Sequence, residues 1–570
     1  MDIVQSVEQA ARCGELELEE QADKELSETI IQELRDEWPN ASEEGLKKAA
    51  ELELKRRKDI EELNANIKAL QQPKNLKELK KKLNFAKKLW LLEHTKHEPK
   101  GEGAVTKCPP ALSDRIVTDI LEKNMVFAVI GEDEADYEKA PLRFYNPDTG
   151  LYTQDERILG KLALIIKRDI TTSGNRNIMR WLRLEAREKK LSDGMELIPV
   201  GNGVYNRQTH TLSEFNPHFV FTSKIKTKWS ADIAEPNING WTPSKFLLDL
   251  ANGNPDKAVL LKQILGCCVC VNHIADKAFF LIDDEMGSTG KSTFEQAIIN
   301  LVGDENAGSL LLKEFEEPFT LATAMDKTVI IGDDNHPGDY NEKSVSFKRM
   351  VTGERVLINP KGLPPYTSRS KATIIQSMNA LPKFADTTGG LTRRIIMIKF
   401  NHHFKKTPEG DKVKHDYIYR NDVLEWLLHE ALETDISTMR QLDESAAELH
   451  KMELESEPVL YYMETYFPLL ESTRIPIKFL FKDFLARMAS ENRPSKLSQA
   501  AFTRKARKYL PRGWCYGKQR PSGGWKEKDM NKLNDYVSND PKYYCQPVDP
   551  DIPTNCFYQI EDVPQNEEHD

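Results

Sequence analysis

The stretch FFLIDDEMGSTGKSTFEQAIINLVGD, residues 279–304, leaves the chain few ways to fold. An apolar run of strand type meets two glycines, a lysine and two hydroxyls, and apolar side chains then resume at helical spacing. A buried strand opening into a phosphate-binding loop has this texture. Backbone N–H groups surround a phosphate that no side chain crowds, the following helix aims its positive end at the charge, a lysine adds a cation and a hydroxyl ligates Mg²⁺. Those parts are Gly287, Gly290, Lys291 and Ser292, with Ser288, Thr289 and Thr293 completing the ATP-contacting segment GSTGKST. The strict pattern asks for glycine six residues before the lysine, where this chain has Glu285. An α/β fold class is expected.

The segments downstream extend this reading. KTVIIGDDNHPG is a short apolar strand ending in two carboxylates, Asp333 and Asp334, where a second nucleotide motif holds Mg²⁺ and polarises the attacking water. KATIIQSMNALPKF repeats the arrangement and delivers Asn379 to the same edge, in a position to orient water. GGLTRRIIMIKF sets Arg393 and Arg394 immediately before a strand, where a guanidinium can serve phosphoryl transfer in trans.

A chain of 570 residues exceeds what one core usually supports, so several domains are expected. No window has the apolar length of a membrane span, and the acidic N-terminus lacks the blocks of a secretory signal, so a cytoplasmic protein is expected. The eight cysteines lack zinc-knuckle spacing, and GCCVCV reads as buried free thiols. A net charge of -10 hides a strong asymmetry. Residues 474–528 carry fifteen Lys and Arg against three acids, whereas 529–570 carry ten acids and two lysines. That pattern suggests a basic nucleic-acid-binding module followed by an acidic tail. Residues 1 to about 100 read as exposed charged helices, and KHEPKGEGAVTKCPP as a linker. LRFYNPDTGLYT reads as strand, turn, strand, and ERILGKLALIIKRDI as an amphipathic helix. ELIPVGNGVYNRQTHTLSEFNPHFVFTSKI is a turn-rich β segment that closes this second domain. Near the C-terminus, PVLYYMETYF, IPIKFLFKDFLARMASE and SKLSQAAFTRKARKYL read as three helices before a basic hairpin, WCYGKQRPSGGWKEK. That is a winged-helix order, with Ser498, Gln499, Thr503, Arg504, Arg507 and Lys508 facing a groove and Lys518 and Arg520 on the wing.

The pieces GSTGKSTF, VIIGDDN, FKRMVTGERVLINPKG, ATIIQSMNALPKFADTTGG and TRRIIMIKF, in this order, resemble the superfamily 3 helicases. The likeness is to the phage, plasmid and poxvirus branch of primase-helicases, whose cores belong to the AAA+ class, and it spans roughly residues 113–400. Together with the readings above, the expected domains are a charged helical arm (1–105), an α+β N-terminal domain (106–235), an AAA+ P-loop ATPase core (236–445), a C-terminal winged-helix domain (446–530) and an acidic tail (531–570). It also implies that Lys291 contacts the β and γ phosphates of ATP, that Ser292 and Asp333 hold Mg²⁺, and that Asp334 activates water. Asn379 would be the sensor and Arg394 the arginine finger, with Arg393 second. VLINPKGLPPYTSRSKAT corresponds to the channel hairpin of related helicases, with Lys361 at its tip gripping single-stranded DNA. A homo-hexameric helicase moving 3'-5' and binding duplex DNA through its C-terminal domain is thus expected, in replication initiation of a phage or mobile element in a bacterial host. Single-strand-binding and host replication proteins are its expected partners. A ring ATPase that remodels DNA or protein without unwinding, and a non-catalytic origin-binding protein, remain alternatives. Primase chemistry needs clustered carboxylates and a histidine on a mixed sheet. Before residue 113 there is only the charged helical segment, which argues against a primase here.

Overall fold

The computed structural model describes residues 21 and 23–560, apart from 272–274, 284–286, 336–339, 342–343, 360, 362–364, 385–388, 539 and 541. The chain forms two compact units, Met1–Lys224 and Ile225–Asp570.

The first unit is α+β. A four-stranded sheet runs in the order Leu151–Thr153, Leu142–Asn146, Phe127–Ile130, Arg187–Lys189, antiparallel except for its last pair. A three-stranded antiparallel meander follows, Leu197–Val200, Gly203–Asn206 and Thr211–Ser213. Two expectations about its N-terminal part need correction. The helix Leu76–Glu93 is no solvated arm: Leu79, Leu83 and Ala86 are buried in one cluster with Leu121, Phe144, Leu162, Ile166 and Leu182. Its apolar residues recur every three to four positions, a stripe that must be covered despite the helix's eight charged residues. The presumed linker is a β-hairpin, Lys96–Lys100 paired with Gly103–Lys107, closed by Gly101 at φ +59°. Its turn packs tightly against the helix Glu43–Ala69, since a Cβ on Gly45 would come within 2.5 Å of the Gly101 carbonyl oxygen. Residues 1–20, the start of the expected arm, lie outside the described residues.

The second unit is built around a five-stranded parallel sheet. Its strands are β1 (Ala278–Asp283), β2 (Ala307–Ser309), β3 (Val329–Asn335), β4 (Thr373–Met378) and β5 (Ile395–Phe400), in the spatial order β2-β3-β4-β1-β5. Every residue of β1 and β4 is buried, as expected for central strands covered on both faces. The helix α1 (Lys291–Val302) follows β1. The connection after β1 runs to one edge of the sheet, whereas the chain after β4 crosses to β5 on the other side of β1. With right-handed crossovers those connections leave on opposite faces, and a crevice opens at the carboxyl ends of β1 and β4.

The C-terminal part of this unit holds the helices Pro458–Thr465, Ile477–Ser490 and Gln499–Ala506 around a separate core that includes Tyr462, Phe484 and Phe502. Two further expectations are corrected here. Strand Trp514–Gln519 does not form a hairpin with the residues up to 528. The chain turns at Pro521–Gly523 into the helix Glu527–Tyr536, and the antiparallel partner of the strand is Thr554–Gln559, which also pairs with Arg474–Pro476. The acidic segment is therefore not a tail through its first thirty residues: Leu533, Cys545 and Phe557 are buried in the same core. Residues 561–570 lie outside the described residues. Cys267, Cys268 and Cys270 are buried and outside any disulfide, and among the described residues no helix is long and apolar enough to cross a membrane.

Candidate functional site

The crevice holds the loop that the sequence singles out. Gly287, Ser288 and Gly290 take positive φ values of 64°, 58° and 81°, a left-handed course that glycine adopts freely and serine only under strain. Gly290 is required twice over. A Cβ there would stand 2.5 Å from Leu250 Cδ2 and 2.8 Å from Phe404 Cε2. Gly290 is also the N-cap of α1, and no side chain caps that end, so the first-turn N–H groups stay available to an anion.

Lys291 is 5% exposed. Its Nζ donates to Asn379 Oδ1 at 2.9 Å, Asp283 Oδ1 at 3.2 Å and the Met378 carbonyl at 3.3 Å. Thr289 Oγ1 donates to the other oxygen of Asp283, at 3.1 Å. Lys291 and Asn379 are thus brought together as the sequence suggests, with Asp283 as an unforeseen counter-charge. Ser292 is exposed in the first turn of α1 and Thr293 is half-buried.

Asp333 stands exposed near the carboxyl end of β3. Between Gly332, opposite Gln376, and Asn335, opposite Met378, β3 carries one residue more than β4, so the two aspartates sit on a β-bulge. The Asp334 side chain lies outside what is described, as does Glu285. Asn335 pins the bulge. Its Nδ2 donates to Gln376 Oε1 (2.9 Å), Gly332 O (3.1 Å) and Ser377 O (3.2 Å), and its Oδ1 accepts from Leu312 N–H at 2.9 Å. Asn335→Leu would leave the Leu312 N–H and Gln376 Oε1 buried and unpaired, at a cost on the order of 3 kcal/mol. Urea denaturation is the check, and unchanged stability would show that the amide does not fasten the bulge.

A second fastening also escaped sequence reasoning. After β5, His403 Nδ1 donates to the Gly287 carbonyl at 3.0 Å and Phe404 N–H donates to the Ser288 carbonyl at 2.9 Å. The segment NHHFKK, 401–406, is therefore a strap across the loop. Only the tertiary fold brings it there, and its sequence carries no signal of that role.

Arg393 and Arg394 are not near Lys291. Ile395 of β5 pairs with Ala278 at the start of β1, and Phe400 pairs with Asp283 at its end. At about 3.3 Å per residue the arginines lie roughly 17–20 Å along the sheet from the crevice of their own chain. Arg394 Nη1 donates to the Gly390 carbonyl at 2.5 Å, and its Nε is buried without a partner among the described residues. Arg393 is exposed, and Lys277 Nζ donates to its carbonyl.

Lys361 is exposed in the connection of an antiparallel hairpin, Val356–Ile358 with Tyr366–Ser368, whose residues 360 and 362–364 lie outside the described residues. In the C-terminal part, Arg504, Arg507, Lys508, Lys518 and Arg520 are all exposed. The Arg507 guanidinium stacks 4.8 Å from the Tyr516 ring centroid, and Lys518 shares that face of its strand. Ser498 and Thr503 are otherwise engaged. Ser498 caps its helix, and buried Thr503 donates to the Gln499 carbonyl at 2.7 Å.

Three families match the chain: "D5 N terminal like" over residues 112–247, a family of unknown function over 284–394, and "Poxvirus D5 protein-like" over 454–541. The middle match runs from the loop to Arg394. Among solved structures, two apo forms of the NrS-1 C-terminal region align with 79% of this chain and 100% of theirs at 11% identity, with TM-scores of 0.45 and 0.44. Similarities of that size specify neither fold nor function. The two D5-like matches lie on either side of the phosphate-type loop, in the order that the motifs lead one to expect, and over those residues the chain is similar to the poxvirus D5 type of protein.

Proposed function

We propose that this protein is a ring-forming ATPase that drives DNA unwinding during replication initiation, adjacent copies jointly enclosing each nucleotide. One observation carries the reading: the sheet puts the lysine cradle at one end and Arg393 and Arg394 at the other, so a single chain cannot bring both to one phosphate. The residues fit ATP with Mg²⁺. An uncapped helix end, a buried lysine, an exposed serine hydroxyl and an exposed aspartate share one edge of the sheet. When bound, the metal neutralises charge on the phosphate oxygens.

In this reading Lys291 trades its bond to Asn379 for the phosphates, Ser292 and Asp333 hold the metal, and the Asp333–Asp334 bulge supplies the carboxylate that polarises water. Gly287, Ser288, Thr289 and Gly290 line the nucleotide, and Asn379, released from Lys291, orients the water. Arg394 of one copy reaches the nucleotide of the next, which gives the hexameric ring its catalytic purpose. The hairpin carrying Lys361 grips successive phosphates of a single strand in the channel, moving 3'-5'. A basic winged-helix-like face with Arg504, Arg507, Lys508, Lys518 and Arg520 holds duplex DNA. Strand displacement from a labelled fork, with and without ATP, tests the proposal. Lys361→Ala should hydrolyse ATP at the basal rate yet release almost no strand. Unwinding at the wild-type rate would take the hairpin out of the mechanism, and no unwinding by the wild type would favour a remodelling ATPase.

A further inference from the structure

The first unit contains a cavity of about 520 Å³ that the ATPase reading does not use. Its walls come from three parts of the chain: the turn before helix Leu76–Glu93, the end of helix Asp114–Asn124, and the loops around Tyr145 and Phe215. Those walls are fastened together. Leu76 N–H donates to Asp148 Oδ1 at 2.7 Å, and Lys82 Nζ donates to the carbonyls of Gln71 and Asn124, both at 3.3 Å.

The lining is selective in charge and shape. Lys74, Lys82 and Lys123 face a single acid, Glu214. Lys82 is 7% exposed and burial lowers its pKa; among the described residues its polar partners are neutral carbonyls, with no carboxylate to offset the loss of water. A buried ammonium without a counter-ion favours an anion beside it. Two aromatic rings complete the wall and both are held in place. Tyr145 packs edge-on to Tyr152 at 5.7 Å, and Phe215 lies under the Lys224 ammonium at 4.7 Å and fills the space that a Cβ on Gly150 would need. Rigid rings, cations and a volume within the usual range of ligand sites suit a flat heterocycle that carries phosphate.

We infer that the cavity bounded by Lys74, Lys82, Lys123, Tyr145 and Phe215 binds one nucleotide unit, the base against the rings and the phosphate among the ammonium groups. The nucleotide belongs either to a single DNA strand or to a free nucleoside triphosphate, which share this chemistry. The site lies wholly within Met1–Lys224, so its failure would leave the ATPase reading untouched.

The test uses the full chain with two photoreactive probes: an oligothymidylate carrying 5-iodouracil, and free 5-iodo-dUTP. Irradiation followed by peptide mapping should place a crosslink on Tyr145 or Phe215. Crosslinking from the oligonucleotide alone would make the source a DNA strand, and from the free nucleotide alone a triphosphate. Lys74→Gln with Lys123→Gln, both exposed positions that leave the core intact, should reduce the crosslink about tenfold. For the oligonucleotide, the salt slope of the crosslink should fall by about 0.7 per lysine engaged. No crosslink to either ring from either probe, or equal yield in the double variant, overturns the assignment.

Discussion

Arg394→Ala is expected to yield a protein that assembles and retains ATP but hydrolyses it some 10³- to 10⁵-fold more slowly, the usual effect of removing an arginine finger. The magnitude follows from where the residue stands. In its own chain Arg394 lies at the start of β5, level with the beginning of β1, while the crevice is at the far end of both strands. Among the described residues its side chain bonds the Gly390 carbonyl four residues earlier, a local tether, and no carboxylate pairs with it. A complementation experiment isolates the action in trans. Mixing Arg394→Ala with Lys291→Ala should restore a fraction of the turnover that neither has alone, because some interfaces then pair an intact lysine with an intact guanidinium. Full turnover by Arg394→Ala on its own would shift the role to Arg393 or to another cation. Absence of complementation between two well-assembled variants would place both groups in one subunit, against the register of the sheet.

The sequence reading succeeded where burial is most complete. Strands β1, β3 and β4 are central and each carries an apolar run because a parallel strand there is covered on both faces, and the edge strand β5 is nearly as buried. Their polar ends stood out by contrast, and Lys291, Asn379 and Asp333 fell on one edge as expected. Peripheral elements were less legible. The hairpin KHEPK with GAVTK is half exposed and has the composition of a linker, and nothing local to it reveals the helix it packs on. The partner of strand Trp514–Gln519 lies past a ten-residue helix, and the Gly-rich turn after the strand gave a nearer and mistaken alternative. Asp283, His403 and Phe404 were missed for a different reason. Each acts on the loop through a contact that folding creates, and a carboxylate at a strand end or a histidine after one has no distinctive spacing. The buried face of helix Leu76–Glu93 could have been found, since Leu79, Leu83, Ala86 and Trp90 trace one stripe.

Lys291→Ala should reduce ATP hydrolysis to background, a loss of at least about 10²-fold if the ammonium acts as other preorganised charges do. The same change should abolish the stabilisation by nucleotide, which at a hundred times the dissociation constant is worth about 2.7 kcal/mol. Thermal melts with and without ATP read this directly. Two effects must be kept apart, because Lys291 also neutralises buried Asp283, which would otherwise keep, among the described residues, the Thr289 hydroxyl as its donor. Asp283→Asn separates them. It removes the counter-charge while leaving the ammonium bonded to Asn379 and to the Met378 carbonyl, so the nucleotide-dependent shift should persist. A shift lost in both variants would mean that the pair is needed to shape the loop, and a shift kept in both would place the nucleotide away from Lys291 altogether.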